Sequence, residues 1–255
     1  MSKHALTPPM SIGQKPHGAL RSYGRVKSRP IKARQAGLLD SLLPTITIPD
    51  GAVDLARLKP DAAEVWLEIG FGGGEHLAEQ AARRPDVLFL AAEPFLNGVA
   101  SALRHIDERG LTNVRLRHGD ARELLADLPD ACLSRIFILF PDPWPKTRHH
   151  KRRLMQPEVI ADLARVLKPR GTLRFATDWS DYADWTIERM AAGGTLSPAE
   201  GGGEGSFTPP PFRWTAERAA DWRTPPGDHV TTRYEQKRLG DCAPVFLDFV
   251  RGRGG

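Results

Sequence analysis

Short apolar segments alternate with amphipathic segments along the chain from residue 64 onward. The apolar segments predict strands at residues 65–69, 87–92, 114–117, 135–140 and 172–177. The amphipathic segments predict helices near residues 75–83, 96–108, 121–128, 157–167 and 181–190. Because parallel strands can be joined only by a crossover, this alternation predicts a doubly wound α/β fold with a mostly parallel sheet. A last strand is expected within residues 244–251, where apolar residues occupy alternate positions.

The first 60 residues lack this alternation. They contain Pro and Gly without sustained periodicity, and residues 1–39 carry eight Lys and Arg but no Asp or Glu. We therefore expect a basic, partly disordered N-terminal arm over residues 1–60 and one folded domain over residues 61–255. Residues 193–211 are rich in Gly and Pro and are expected to form a loop or an inserted segment.

Positive charge is concentrated in two places. The net charge is +5, and the basic arm is joined by a second cluster over residues 146–153 with five Lys or Arg and two His. Patches of this kind are typical of proteins that bind polyanions such as RNA. Either run alone could equally be a solvated tail or loop, and the presence of two favours a nucleic-acid partner.

Signals of membrane, secreted and metal-binding proteins are missing from the sequence. No apolar segment reaches the roughly 20 residues of a membrane span, and the N-terminus has no continuous apolar core of a secretory signal. Cys132 and Cys242 are too far apart for a Cys-x-x-Cys metal site. We expect a cytoplasmic protein that binds neither a membrane nor a metal, with monomer and homodimer as alternatives.

A glycine-rich loop follows the first predicted strand. Residues 67–75 read LEIGFGGGE, and Gly70 and Gly72 would let the backbone approach a ligand closely. The dinucleotide fingerprint GxGxxG would need glycine at the position of Glu75. An acidic loop with Glu68 and Glu75 suits a sulfonium cation better than a pyrophosphate. The loop therefore indicates S-adenosylmethionine as the cofactor, with a tight turn that binds no ligand as the alternative.

Carboxylates follow three of the other predicted strands, at the edge where ligands bind to such sheets. Glu93 ends the second strand and can accept hydrogen bonds from the ribose hydroxyls of an adenosine. Asp120 follows the third strand and is either a partner of the adenine amino group or the N-cap of the next helix. Asp178 follows the fifth strand, beside a Trp179 that could stack on a base or lie in the core.

Asp142 follows the fourth predicted strand, in the stretch PDPWPK at residues 141–146. Three prolines restrict the backbone around this carboxylate and would hold it at the mouth of the site. The barrier to methyl transfer depends mainly on alignment and on the electrostatics around the nucleophile. Asp142 is therefore the candidate catalytic residue, with a proline-capped strand end as the alternative.

Several motifs together resemble one family. The most specific are residues 67–77 (LEIGFGGGEHL), 140–153 (FPDPWPKTRHHKRR), 177–178 (TD) and 232–235 (TRYE), and the similarity begins at residues 21–25 (RSYGR). Over most of its length the chain resembles the bacterial tRNA (guanine-N7)-methyltransferases. The resemblance implies the Rossmann-like fold of class I S-adenosylmethionine-dependent methyltransferases. It also implies methyl transfer from that cofactor to N7 of a guanosine in the variable loop of tRNA.

The resemblance assigns roles to individual residues. The residues that would contact the cofactor are Gly70 and Gly72 of the glycine loop together with Glu68, Glu93, Asp120 and Asp142, which the resemblance implies. Those implied to contact tRNA are Lys146, Arg148, His149, His150, Lys151, Arg152, Arg153, Asp178, Thr232, Arg233, Tyr234 and Glu235. Asp142 is also the implied catalytic residue. Guanine N7 carries no proton at neutral pH, so the reaction needs no general base. Asp142 would instead accept hydrogen bonds from the N1 and N2 protons of guanine and offset the positive charge of the product. The Gly- and Pro-rich segment at residues 193–211 is longer than the resemblance to this family leads us to expect.

Two other functions would explain parts of the pattern. An NAD-dependent oxidoreductase would use the glycine loop and Glu93, but it would leave the PDPWPK stretch and both basic runs without a role. A non-enzymatic RNA-binding protein with a vestigial cofactor pocket would use only the basic runs. Stabilisation by S-adenosylmethionine rather than NAD would exclude the first alternative, and methyl transfer to tRNA would exclude the second.

Overall fold

The computed structural model describes residues 30–192, 195–197, 206–208 and 210–252. The strands within these residues are β1 (Glu64–Ile69), β2 (Val87–Glu93), β3 (Val114–His118), β4 (Leu133–Leu139), β5 (Leu167–Thr177), β6 (Thr195–Ser197), β7 (Ser206–Thr208), β8 (Phe212–Trp214) and β9 (Val245–Arg251). The helices are α1 (Ala33–Ser41), α2 (Leu43–Ile46), α3 (Leu55–Leu58), α4 (Glu75–Arg83), α5 (Leu96–Arg109), α6 (Ala121–Asp127), α7 (Pro157–Val166), α8 (Ser180–Ala191), α9 (Ala220–Arg223) and α10 (Arg233–Gln236), with a 3-10 helix at Thr147–Arg152. From β1 to α8, strands and helices alternate as predicted.

Seven of these strands form one sheet in the order β3-β2-β1-β4-β5-β9-β8. Strands β1 to β5 are parallel, whereas β9 runs antiparallel to β5 and β8 runs antiparallel to β9. The strand order reverses between β1 and β4, so crossovers leave in opposite directions and open a crevice at the carboxyl ends of the strands. The predicted doubly wound, mostly parallel α/β fold is confirmed.

The structure adds strand residues that the apolar pattern did not predict. Strand β5 begins at Leu167, five residues before the predicted start at residue 172. The pattern missed these five residues, LKPRG, because they contain Pro and Gly and show no apolar alternation. Strand β8 has only three residues, too few for a periodic signal. The predicted last strand is confirmed as β9, and Phe246 is buried as well as Leu247, so helices and loops cover both of its faces.

Helices cover both faces of the sheet and divide the core into two clusters. Leu67 and Ile69 of β1 pack with apolar residues of α6 and α7, whereas Trp66 packs on the other face with residues of α4 and α5. Strand β2 is buried at every position. Complete burial is what a central parallel strand requires, and it explains why these strands appear in the sequence as continuous apolar runs.

Residues 30–58 of the expected arm pack on the domain. Arg34 of α1 donates hydrogen bonds to Glu108 and Asp107 of α5, each at 3.1 Å. Ile48 is fully buried, and its backbone N donates to the carbonyl oxygen of Leu116 in β3 at 2.8 Å. Residues 1–29, which hold most of the basic charge and the RSYGR motif, lie outside the described residues. The boundary at residue 60 and the partial disorder of the arm therefore stay predictions.

The expected loop at residues 193–211 is described only in part. Strands β6 and β7 pair antiparallel as a two-stranded sheet, with Leu196 opposite Phe207. Most of the remaining residues of this segment lie outside the described part of the chain. Residues 193–211 therefore include a pair of short antiparallel strands, which their Gly and Pro content did not predict.

Helix α5 packs closely on the glycine loop, and this contact predicts the effect of a single methyl group. A Cβ at Gly98 would lie 2.4 Å from the carbonyl oxygen of Gly72, so Gly98→Ala requires the loop to move. We expect this variant to lower the free energy of unfolding by about 1 to 3 kcal/mol. Urea denaturation monitored by circular dichroism measures it.

Gly37 provides the matched control, because it also lies inside a helix but a Cβ there would meet no atom within 4 Å. Gly37→Ala is expected to raise the free energy of unfolding by about 0.5 to 1 kcal/mol, since alanine loses less backbone entropy on folding. If both variants were equally stable, the close contact between α5 and the loop would not exist in solution.

Candidate active site

The loop after β1 has a shape that only glycine adopts easily. Gly70, Gly72 and Gly74 have φ angles of +72°, +54° and +80°, in the left-handed region. Phe71 is buried between the first two glycines, and its carbonyl oxygen accepts a hydrogen bond from Gly74 N at 2.9 Å. The loop is thus anchored by one apolar side chain, and it turns from β1 into α4 without side chains at the three glycine positions.

Glu93 connects the end of β2 to this loop. Its carboxylate accepts hydrogen bonds from Gly72 N at 2.8 Å and from Phe95 N at 2.9 Å. Burial raises the pKa of this carboxyl, while the two backbone donors oppose the shift. Each carboxylate oxygen has a second lone pair, so Glu93 can still accept a ligand hydroxyl group.

An open cavity lies at the carboxyl ends of the parallel strands. Its lining residues are Ile69, Gly70, Ala92, Pro94, Asp120, Ala121, Arg122, Pro141, Asp142, Trp144, Lys151, Arg152, Arg153, Leu154, Gln156, Glu158 and Val159. A Cβ built on Gly70 would meet no protein atom within 4 Å. Bare backbone, apolar side chains and the carboxylates of Asp120 and Asp142 suit the base and ribose of a nucleoside. Arg122, Lys151, Arg152 and Arg153 add positive charge to the same lining.

Asp120 lines the cavity and also caps α6. Its carboxylate accepts a hydrogen bond from the backbone N of Arg122 at 2.9 Å and another from the Arg122 guanidinium at 2.6 Å. Burial opposes ionisation of this carboxyl, but the hydrogen bonds from Arg122 prevail and lower its pKa. The N-cap alternative is therefore observed, and the contact with adenine stays a prediction.

Asp142 lies in a loop whose backbone is strained on both sides. Phe140 and Trp144 have φ angles of +52° and +45°. For bulky residues this conformation costs on the order of 1 to 3 kcal/mol each, and it persists only where surrounding contacts hold it. One such contact is made by Arg153, whose Nε donates to the carbonyl oxygen of Pro143 at 2.9 Å. Asp142 lines the cavity and is exposed.

The residues of the second basic cluster differ in exposure. Lys146, Arg148 and Lys151 are exposed, whereas His149, His150 and Arg152 are half-buried. Arg153 is 2% exposed, forms an ion pair with Asp181, and lies 4.9 Å from the ring centre of Tyr182. Sequence alone could not distinguish the buried arginine, because the two turns of 3-10 helix at Thr147–Arg152 direct adjacent residues to different sides and Arg153 follows directly after them. Three cations of the cluster are therefore open to a polyanion.

Glu68 lies under α4 rather than along the cavity. It is 4% exposed, and its carboxylate lies 2.8 Å from Nδ1 of His76. His76 Nε2 is 3.3 Å from Nε2 of Gln80, which donates to the carbonyl oxygen of Asp228 at 2.6 Å. Sequence analysis did not identify His76 and Gln80, although their spacing of four residues places them on one helix face. The predicted contact of Glu68 with the cofactor remains untested.

The predicted tRNA-contact residues 232–235 are the N-cap Thr232 and the first three residues of helix α10. Thr232 and Glu235 form a capping box, and Glu235 also lies 2.9 Å from Nε2 of His229. Arg233 pairs with Glu75, the first residue of α4 after the glycine loop, at 2.7 Å. Tyr234 packs on Phe140 with the ring centres 5.7 Å apart. The fold thereby brings a segment from the end of the chain against both the glycine loop and the Asp142 loop.

Asp178 lies beneath α10 at the end of β5. It is 4% exposed, and its carboxylate accepts a hydrogen bond from Gly240 N at 3.0 Å. Burial is the main cause that raises the pKa of this carboxyl. Trp179 packs partly buried against the core, which favours the structural interpretation of that residue. Contact of Asp178 with tRNA stays a prediction.

The described residues contain neither a candidate metal cluster nor a candidate membrane-spanning helix. No group of three or more His, Cys, Asp and Glu in them lies close enough to hold a metal ion. None of the helices described is long and apolar enough to cross a bilayer.

Comparison with known proteins identifies the family. A family model described as a putative methyltransferase matches residues 62–223. Proteins named tRNA (guanine-N(7)-)-methyltransferase are similar along nearly their whole length. The relative from Caulobacter vibrioides is 59% identical over 95% of this chain and 100% of its own. Those from Hyphomonas neptunium and Rhodospirillum rubrum are 48% and 44% identical, over 90% and 93% of this chain and 99% and 90% of theirs. The chain belongs to the family of tRNA (guanine-N(7)-)-methyltransferases.

Proposed function

We propose that this enzyme transfers a methyl group from S-adenosylmethionine to N7 of a guanosine in the variable loop of tRNA. The observation that carries the proposal is the position of Asp142, on a strained proline-rich loop at the mouth of the cavity beside the glycine loop. The family argues for a transferase rather than an oxidoreductase. Because tRNA is the substrate, we also propose that the enzyme is cytoplasmic.

The residues around the cavity fit the adenosine part of the cofactor. Gly70 offers bare backbone, and Ile69 and Ala92 offer apolar surface to the adenine ring. The Glu93 carboxylate would accept hydrogen bonds from the ribose hydroxyls, and the Asp120 carboxylate would accept one from the adenine amino group. When bound, S-adenosylmethionine supplies an electrophilic methyl carbon next to a positively charged sulfur.

Asp142 would act on the guanine and would not remove a proton. The N7 lone pair is already available at neutral pH, so alignment and charge stabilisation are what the protein must provide. A carboxylate held at the mouth of the cavity can accept hydrogen bonds from guanine N1 and N2, which orients the base. The same negative charge stabilises the cationic ring that the base becomes.

The exposed cations of the second cluster would hold the tRNA backbone. Lys146, Arg148 and Lys151 follow Asp142 along the chain, and Lys151 also lines the cavity. Phosphate contacts position a nucleic acid without reading its sequence. We propose that these contacts place the variable loop over the cavity, and that α10, which covers the buried Asp178, contacts the nucleotides around the target.

The first prediction tests the reaction and the role of Asp142. Unmodified tRNA incubated with the enzyme and labelled methyl donor should yield 7-methylguanosine, mapped by nucleoside digestion and mass spectrometry. Asp142→Ala should lower the rate on the order of 100-fold or more, because it removes the fixed charge beside the reacting base. The affinity for tRNA should stay nearly unchanged, since phosphate contacts dominate it.

Asp130→Ala serves as the control, because Asp130 is 78% exposed and pairs with Arg165 on the surface. It should methylate tRNA at the wild-type rate. Product other than 7-methylguanosine would contradict the proposed reaction, and full activity of Asp142→Ala would remove Asp142 from the mechanism.

The next prediction concerns the charges that hold tRNA. The double variant Arg148→Ala/Lys151→Ala should weaken binding and flatten the dependence of log Kd on log salt by about 0.7 to 0.9 for each lost phosphate contact. Arg153 is left intact because it is buried against Asp181. Filter binding across a range of salt concentrations measures the slope.

The control variant is Arg57→Ala/Arg218→Ala, which removes the same charge from two exposed arginines outside the cluster. Its salt dependence should match that of the wild type. An identical slope for both double variants would show that Arg148 and Lys151 only face solvent.

A further inference from the structure

Trp144 differs from the other tryptophans in its surroundings. The chain has six, all within the described residues, and five of them pack in or against the two apolar clusters of the core: Trp66, Trp179, Trp185, Trp214 and Trp222. Trp144 belongs to neither cluster and instead lines the cavity, two residues after Asp142. A large half-buried aromatic ring at this position is therefore not explained by the packing of the core.

The backbone holds Trp144 in a conformation that bulky residues rarely adopt. Its φ angle is +45°, and prolines precede and follow it in the chain. The carbonyl oxygen of Pro143 is held by the buried Arg153 at 2.9 Å. Strain that surrounding contacts maintain is concentrated at functional sites. The result is that the indole and the carboxylate of Asp142 border the same cavity.

The indole ring already accepts a flat cation. The guanidinium carbon of Arg152 lies over the ring, 4.9 Å from its centre, and His149 approaches it edge-on at 5.9 Å. Tryptophan is the aromatic side chain that attracts cations most strongly through its face. A guanidinium is planar and carries a delocalised positive charge, as a methylated guanine does.

Methyl transfer creates such a cation on the base. As guanine N7 forms its bond to the methyl carbon, the bond from that carbon to sulfur breaks, and its electron pair stays on the sulfur. The positive charge passes to the purine ring, and no proton moves. A group that attracts the charged ring more than the neutral ring lowers the barrier, because it stabilises the transition state more than the substrate.

We propose that the target guanine stacks on Trp144, and that the indole stabilises the positive charge that the purine acquires. Asp142 would then bind the edge of the base while Trp144 contacts its face, which makes Trp144 a second catalytic residue. The inference rests on the proposed methylation of guanine N7.

The test compares Trp144→Leu and Trp144→Phe with Trp222→Leu. Trp222 is the matched control because it is half-buried, lies under the Arg223 guanidinium at 4.5 Å, and does not line the cavity. Single-turnover rates should fall by about 10-fold in Trp144→Leu and less in Trp144→Phe, which keeps an aromatic face. The rate of Trp222→Leu should equal that of the wild type.

A binding measurement separates stacking from a structural role. The Kd of each variant is measured without cofactor for unmodified tRNA and for the same tRNA carrying 7-methylguanosine at the target position. In Trp144→Leu the preference for the methylated tRNA should fall several-fold relative to the wild type, because the attraction between cation and indole is lost. A structural defect alone would weaken the binding of both tRNAs by the same factor, and that result would overturn the inference.

The outcomes for the function and for Trp144 are distinct. A wild-type enzyme that methylates tRNA, together with a Trp144→Leu variant of equal rate and equal preference, would overturn the role of Trp144 and leave the function intact. A wild-type protein that does not methylate tRNA would overturn the proposed function itself. If Trp144→Leu does not fold, the same comparison is made with Trp144→Phe, whose reduced rate and preference would support the inference and whose wild-type values would refute it.

Discussion

The site depends on one buried carboxylate at the end of β2, next to the glycine loop. Glu93 accepts backbone hydrogen bonds from Gly72 and Phe95, and so ties the loop after β1 to the loop after β2. Gly98 of α5 reinforces this junction, because its missing side chain lets the helix approach the carbonyl oxygen of Gly72. The bare backbone of the glycine loop is thereby fixed beside the cavity, which is the condition for binding a nucleoside closely.

The same scaffold also supports the substrate side. Arg233 of α10 pairs with Glu75 at the start of α4, and Gln80 on α4 donates to the carbonyl oxygen of Asp228. Asp228 is held in turn by the guanidinium of Arg174 at 2.5 Å. Residues far apart in the chain therefore hold the glycine loop and the proposed tRNA-binding helix in a fixed relation, and Phe140 of the Asp142 loop packs on Tyr234 of that helix.

The sequence predicted what periodicity and strand ends determine. Because side chains at the carboxyl ends of parallel strands meet at one edge, Gly70, Asp120 and Asp142 could be placed together before the structure was known. The partners of charged side chains buried in the interior could not be predicted from the sequence. Arg153 in a run of cations gives no sign that it is buried, and Glu68 gives no sign that its partner is His76. Such contacts depend on which helix covers which strand, and no local pattern encodes that.

Calorimetric titration with S-adenosylhomocysteine, the demethylated product of the methyl donor, tests most directly whether the cavity beside the glycine loop binds that donor. Gly70→Ala is compared with Gly51→Ala, because both residues have positive φ angles and open space at Cβ, but only Gly70 lines the cavity. Both substitutions place an alanine in the left-handed region, which costs about 1 to 2 kcal/mol of backbone strain. We expect Gly51→Ala to bind like the wild type and Gly70→Ala to bind at least about 10-fold more weakly, from lost space for the ligand. No binding by the wild-type protein, or equal binding by all three, would contradict the account.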